Sequence, residues 1–152
     1  MEISINNDFC YLFRVRYSEC DAQKVVFNGK YVDYIDIAVT EFMRVIWGNY
    51  NDILASGVDS QVVNLTISWK APAHFDEIIA ATVKSVKIGT SSFTLGVDFY
   101  NYENSELIAT SEIIYVMISA DQHTKMEIPD DMRLQLGKGA KGIKVDPLSN
   151  AI

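Results

Sequence analysis

"FRVRYSECDAQKVVFNGKYVDYIDIAVTEFMR", residues 13–44, holds the end of a strand, an acidic junction and the start of the chain's longest helix. Upstream, "CYLFRVRY", residues 10–17, is aromatic and β-branched and predicts a first strand. Downstream, Tyr31, Tyr34, Ile35, Ala38, Phe42, Val45 and Ile46 recur at helical spacing. Asp33, Asp36, Thr40, Glu41 and Arg44 lie largely off that stripe, which predicts an amphipathic helix over residues 29–47. Asn28 is a good N-cap type, and Gly48 and Asn49 are good stop residues. Between strand and helix stand Glu19, Cys20 and Asp21, then Lys24 and the apolar triplet Val25, Val26, Phe27. A carboxylate at such a junction forms a simple cap or an Asx turn, or it is a catalytic group held near a helix dipole.

Beyond the helix, "NYNDILASG" predicts a further short helical turn, and from residue 61 the period changes. Val63, Leu65, Ile67 and Trp69 alternate with Asn64, Thr66, Ser68 and Lys70, a strand that "APAHFDE" breaks. "EIIAATVKSVKI", residues 77–88, is a second strand of this half, and "GTSS" turns the chain. Phe93, Leu95, Val97 and Phe99 alternate with Thr94, Gly96, Asp98 and Tyr100 as a third. "NYENSE" turns again into "LIATSEIIYVMIS", residues 107–119. Short turns between strands favour antiparallel hairpins. "IPDDMRLQL" predicts a short closing helix, and "GKGAKGIKVDPLSNAI" is rich in Gly and Lys. The expected organisation is one domain over residues 1–136 and a flexible tail over 137–152.

The 152 residues fit one domain with a real core, and 49% of them are apolar. A net charge of -7 argues against a nucleic-acid partner. An anionic ligand would need local cations or a helix N-terminus. Two cysteines, Cys10 and Cys20, without zinc-like spacing suggest a reducing compartment. The opening "MEISINNDF" lacks a basic region followed by an apolar one, and no apolar stretch approaches the roughly 20 residues of a membrane span. The expectation is a cytoplasmic domain without a membrane span. No P-loop, Rossmann or metal-ligand constellation appears.

The order strand, long helix, four strands predicts an α+β fold, an antiparallel sheet of about five strands wrapped around one central helix. This order resembles the hotdog fold. Residues 13–44 resemble the opening motif of the 4-hydroxybenzoyl-CoA thioesterase family, especially its YbgC-like acyl-CoA thioesterases. That motif is a strand, an acidic turn ending in Asp, an apolar triplet and a helix with Tyr in its first turn. "VVNLTISWKAPAHFDE" and "KIGTSSFTLGVDFYN" are similar to the family's later sheet segments, so the resemblance covers about residues 11–136.

The resemblance implies hydrolysis of an acyl-CoA or acyl-carrier-protein thioester, with no metal or redox cofactor. It implies a homodimer pairing sheets edge to edge, or a homotetramer, with active sites between subunits. It makes Asp21 the catalytic carboxylate, acting as nucleophile or as base on water. It places Asn28 where a backbone donor polarises the carbonyl, aided by the helix dipole. Two positions depart from the pattern. Lys24 stands where the family usually has Gly, and Asn28 where many YbgC-like members carry His, which leaves the Asn28 side chain an orienting role at most. A non-catalytic acyl-binding module, with Asp21 structural, is the alternative.

Other residues have two readings each. Glu19 raises the pKa of Asp21 by like charge or is simply solvated. Cys20 suggests a thiol nucleophile, but neither His74 nor His123 is near it in sequence, and neither fits a dehydratase pair. Phe27, Tyr31 and Tyr34 line an acyl pocket or belong to the core. Lys87, Gly89, Thr90, Ser91 and Ser92 form a turn that approaches the CoA arm or a plain hairpin. Lys84, Lys87 and the lysines of the tail are the candidate partners of the CoA phosphates.

Overall fold

A computed structural model describes Ile5 and residues 7–149. Its elements are β1 (Phe9–Arg14), a 3-10 turn (Tyr17–Glu19), α1 (Lys30–Trp47), α2 (Tyr50–Ala55), β2 (Val58–Trp69), β3 (Ile78–Ile88), β4 (Ser92–Asn101), β5 (Leu107–Ser119), α3 (Asp130–Lys138) and β6 (Lys144–Val145). The sheet order is β2-β5-β4-β3-β1-β6. All neighbours pair antiparallel except β1 and β6, which pair parallel. This is the expected hotdog architecture with a sixth, two-residue strand added at one edge. Among the described residues no helix is long and apolar enough to cross a membrane.

Period-2 patterning puts one face of the sheet against α1. Phe93, Leu95, Val97 and Phe99 of β4 are fully buried, opposite Tyr115, Ile113, Ser111 and Ala109 of β5. Burial of each such large apolar side chain contributes roughly 1.5–3 kcal/mol. The helix answers with Tyr31, Tyr34, Ile35, Ala38, Val39, Phe42 and Ile46. Tyr31 meets Phe99 edge-on at 5.6 Å, and Trp47 meets Phe93 at 5.7 Å. The helix therefore runs along β4 with its N-terminus at the Phe99 end. Val45, expected on the buried stripe, lies at its solvent border and is exposed.

Two further expectations change. Asn28 is not the cap of α1. The helix starts at Lys30 behind Gly29, which already has helical dihedrals and gives no side-chain cap. The chain enters through a tight turn instead, with Lys30 N–H donating to Phe27 O, Tyr31 to Asn28 O and Val32 to Gly29 O. The boundary drawn at residue 136 falls inside α3, which continues to Lys138. Ala140 is buried, Cys10 N–H donates to Ile143 O at 3.0 Å, and Lys144–Val145 pair with Cys10 and Tyr11. Residues 137–149 thus add a strand to the sheet where a loose tail was expected; residues 150–152 lie outside the described residues.

Candidate active site

The acidic junction folds as a narrow hairpin. Cys20 and Val26 form an antiparallel bridge, Asp21 N–H donates to Val25 O at 3.0 Å, and Phe27 N–H donates to Glu19 O at 2.9 Å. Lys24 N–H donates to Asp21 O at 2.9 Å, closing a β-turn, and Lys24 has φ 66°. This is a three-residue hairpin loop whose last residue takes the left-handed conformation that favours glycine. Lys24, which departs from the glycine of the resembled motif, thus closes this turn in a conformation that suits glycine. Asp21 Oδ1 accepts from Gln23 N–H at 2.8 Å. That is the Asx turn of the structural reading, and it occupies one carboxylate oxygen only. Oδ2 has no hydrogen-bond partner among the described residues.

Asp21 lines an open cleft of about 510 Å³ with Tyr17, Cys20, Ala22, Lys24 and Phe75. Tyr17 is 83% exposed and meets Phe75 edge-on at 5.9 Å. These two rings were not singled out from the sequence, because the 71–77 loop brings them together. Val26 N–H donates to Ala73 O at 2.8 Å, and Val25 bridges His74. His74 Nδ1 lies 2.9 Å from Glu77 Oε1, and Asn101 Nδ2 donates to Glu77 Oε2. A histidine–carboxylate pair thus exists beside the hairpin, although the ring is not part of the cleft wall. Cys20 is a poor thiolate: burial pushes its thiol pKa up, and the Glu19 and Asp21 carboxylates add to the rise.

The predicted aromatic wall divides. Phe27 is exposed, and its ring lies over the start of α1, where a Cβ on Gly29 would stand 2.9 Å from Phe27 Cε1. Tyr31 is buried between Phe99 and Trp69, and burial, with Glu77 nearby, pushes its hydroxyl pKa up to about 12. Tyr34 is a core residue, with its ring 4.4 Å from that of Phe13 and its hydroxyl donating to Glu19 Oε1 at 2.9 Å. Neither Tyr31 nor Tyr34 lines the Asp21 cleft. Glu19, read as solvated or as a charge acting on Asp21, is 6% exposed. Its carboxylate accepts from Arg16 N–H at 2.7 Å, from Arg16 Nε at 3.2 Å and from Arg16 Nη2 at 3.0 Å. Burial pushes its carboxyl up, but these donors and the Tyr34 hydroxyl together hold it below the ordinary value.

At the first turn of α1, the N–H groups of Asn28 and Gly29 have no acceptor among the described residues. They follow directly on the hairpin strand, so donors and Asp21 belong to one local unit. The proposed CoA turn does not join them within one chain. It follows the far end of β3, while the Asp21 hairpin abuts the near end, where Val15 N–H donates to Glu77 O. The 11 residues of β3 separate the two by roughly 33 Å. That turn is also tied to α3, through Arg133 Nη1 to Gly89 O at 2.8 Å and Nη2 to Thr90 O at 3.0 Å, and Ser91 is buried.

A family model described as the thioesterase-like superfamily matches residues 15–136. The Escherichia coli acyl-CoA thioester hydrolase YbgC is 26% identical over 110 residues, which is 72% of this chain and 81% of that protein. Bacillus subtilis YneP is 33% identical over 63 residues, spanning 41% of this chain and less than half, 46%, of YneP. Among solved structures, a 1,4-dihydroxy-2-naphthoyl-CoA thioesterase from Synechocystis aligns with a TM-score of 0.77, covering 85% of this chain and 95% of that one. At 18% identity this last likeness is one of fold.

Proposed function

This chain belongs to the thioesterase-like superfamily, and from that premise we propose that it hydrolyses an acyl thioester of CoA or of an acyl-carrier protein. The observation that carries the reading is that Asp21, with one carboxylate oxygen free of hydrogen bonds among the described residues, lines an open cleft one hairpin away from unpaired N–H groups at a helix start. Two residues of hairpin, roughly 7 Å, separate the level of Asp21 from that of Phe27. A thioester lying along that path has its carbonyl carbon toward the carboxylate and its oxygen toward Asn28 and Gly29. The donors and the positive end of α1 stabilise the oxygen as it gains charge. Asp21 Oδ2 either attacks the carbonyl carbon, so that the C–S bond breaks and leaves a mixed anhydride that water then hydrolyses, or takes a proton from a water that attacks the carbon directly. In both routes the departing thiolate takes up the proton that the water releases, and the acyl group leaves as a carboxylate. Asn28 contributes through its backbone.

Support for a homodimer comes from β2. It is an edge strand of 12 residues with Val62, Val63 and Trp69 about half exposed. Antiparallel pairing of two β2 edges would bring the partner's 89–92 turn to the end of the sheet where Asp21 lies. That arrangement gives Gly89, Thr90, Ser91 and Ser92 a place near the CoA arm that a single chain does not. Two unpaired cysteines support action in a reducing cytoplasm.

Asp21→Asn keeps the turn, because Asn forms the same Asx bond, and removes the nucleophile or base. The expected loss in kcat is roughly two or more orders of magnitude, measured on a panel of short, long and aromatic acyl-CoAs. Near-wild-type turnover of the variant would leave the chain an acyl-binding module with a structural aspartate.

A further inference from the structure

Among the described residues, Glu19 is the one charged side chain buried below a tenth of its surface. A carboxylate withdrawn from water needs full hydrogen bonding, and Glu19 has it, with four donors for its two oxygens. An apolar side chain of the same size would serve packing equally well. What the carboxylate adds is direction, because its donors come from two separate pieces of the fold. Arg16 ends the approach from β1, and Tyr34 sits in the second turn of α1. The backbone of Glu19 holds a third piece, accepting from Phe27 N–H just before the free donors of Asn28 and Gly29.

Asp21 stands two residues beyond this junction. Its peptide is next to the Cys20–Val26 bridge, so a shift of Glu19 moves the Asp21 carboxylate relative to the start of α1. Tyr34 is held on its own side by the Phe13 ring at 4.4 Å and the Tyr31 ring at 5.8 Å, which makes it a fixed post. We propose that Glu19, gripped by Arg16 and Tyr34, is the positioning residue that sets Asp21 in register with the N–H donors at the start of α1. This rests on the reading of Asp21 as the reacting carboxylate. Glu19 does not line the Asp21 cleft, and in this proposal it acts through the hairpin.

Tyr34→Phe tests it with the least disturbance, because the ring and its packing stay and only the donor is lost. Amide hydrogen exchange at Gln23 and Lys24, which report the Asp21 turn, should speed up at least tenfold, while exchange in β4 and β5 stays within twofold of wild type. On the acyl-CoA that the wild-type protein hydrolyses fastest, kcat should fall about tenfold at unchanged KM, as expected when geometry needed only in the transition state is loosened. Glu19→Gln retains an oxygen for Tyr34 and the Arg16 N–H but loses the charge that grips the guanidinium. It should lie between wild type and Glu19→Ala in both readouts. Hairpin exchange within twofold of wild type in Tyr34→Phe overturns the proposal, and so does faster exchange with unchanged kcat. Asp21→Asn, measured alongside, separates the two claims. If that variant stays active, the catalytic reading falls, and the tenfold exchange criterion alone decides whether Glu19 holds the hairpin.

Discussion

Replacing Lys24 by Gly should make the protein more stable, and the size of the gain follows from one backbone angle. Lys24 has φ 66° at the last position of the Asp21 hairpin loop. A side chain in this left-handed region costs about 1–2 kcal/mol through contact of Cβ with the following carbonyl. Glycine removes that cost but frees the unfolded chain, which returns about 0.4–1 kcal/mol. The net gain is about 0.5–1 kcal/mol, and for a chain of this length it corresponds to a rise of about 2–3 °C in Tm. Lys24 is exposed, and its side chain makes no hydrogen bond or ion pair among the described residues, so no lost contact offsets the gain.

Thermal and urea unfolding of three variants would test the reasoning. Lys24→Gly should gain stability, Lys24→Asn should gain a comparable amount because Asn tolerates this conformation, and Lys24→Val should lose stability. A Tm for Lys24→Gly below wild type, or a valine variant as stable as the glycine one, would refute the assignment of strain to this residue. Hydrolysis adds a second reading, since Lys24 also lines the Asp21 cleft. If its ammonium meets an anionic part of the substrate, Lys24→Gly raises KM at constant kcat, and the difference shrinks as salt is added.

Three further outcomes are expected. The Glu19 carboxyl is held below its ordinary value of 4.5, so the unfolded chain binds the proton more readily; the stabilisation is present above about pH 4.5 and is lost as pH falls through the folded value. Acid unfolding of Glu19→Gln, followed by circular dichroism, should therefore depend less steeply on pH below 4.5 than wild type, and equal slopes would contradict the pairing with Arg16 and Tyr34. Truncation after Gly137 removes β6, buried Ala140 and the Cys10–Ile143 hydrogen bond. Two or three net hydrogen bonds at about 1 kcal/mol each predict a Tm lower by roughly 5–10 °C, whereas an unchanged Tm would restore the picture of a loose tail. Sedimentation equilibrium at micromolar concentration should give at least twice 17.1 kDa, and a 17.1 kDa species would count against pairing through β2.

The parts of the fold that the sequence made legible are those governed by neighbours along the chain. The alternation of residues 107–119 marks β5 at the bounds it takes, and the helical stripe places α1 within one residue of its start. The segment carrying Asp21 was legible as an acidic junction between strand and helix, but not as the hairpin that the Cys20–Val26 bridge makes of it. What escaped depends on contacts across the chain. Tyr34 and Glu19 are 15 residues apart, and a tyrosine on an apolar stripe looks the same whether its hydroxyl meets a carboxylate or faces a ligand. One local signal was available, since Arg16 and Glu19 are three apart and compatible with a paired turn. Phe75 meets Tyr17 only because the 71–77 loop folds back over the hairpin. Similarly, Lys144–Val145 is too short to show any period, and its place beside β1 exists only in the folded sheet.

The edge strand β2 shows why a legible pattern need not describe a single chain. Val63, Leu65, Ile67 and Trp69 alternate with polar residues as a half-buried strand should, yet Val63 is 56% exposed and Trp69 47%. Val62, on the other face, is 48% exposed, and the register slips between Val62 and Asn64. A bulge normally serves to blunt an edge, but the strand flanking this one is long, and its edge holds no proline. Pattern and burial disagree in one chain and agree if a second copy covers the strand. The same pairing would bring the partner's 89–92 turn, proposed for the CoA arm, toward the proposed site, from which the length of β3 separates it in its own chain. In the proposed homodimer, one antiparallel contact would both cover the apolar edge and bring the proposed CoA turn to the proposed site.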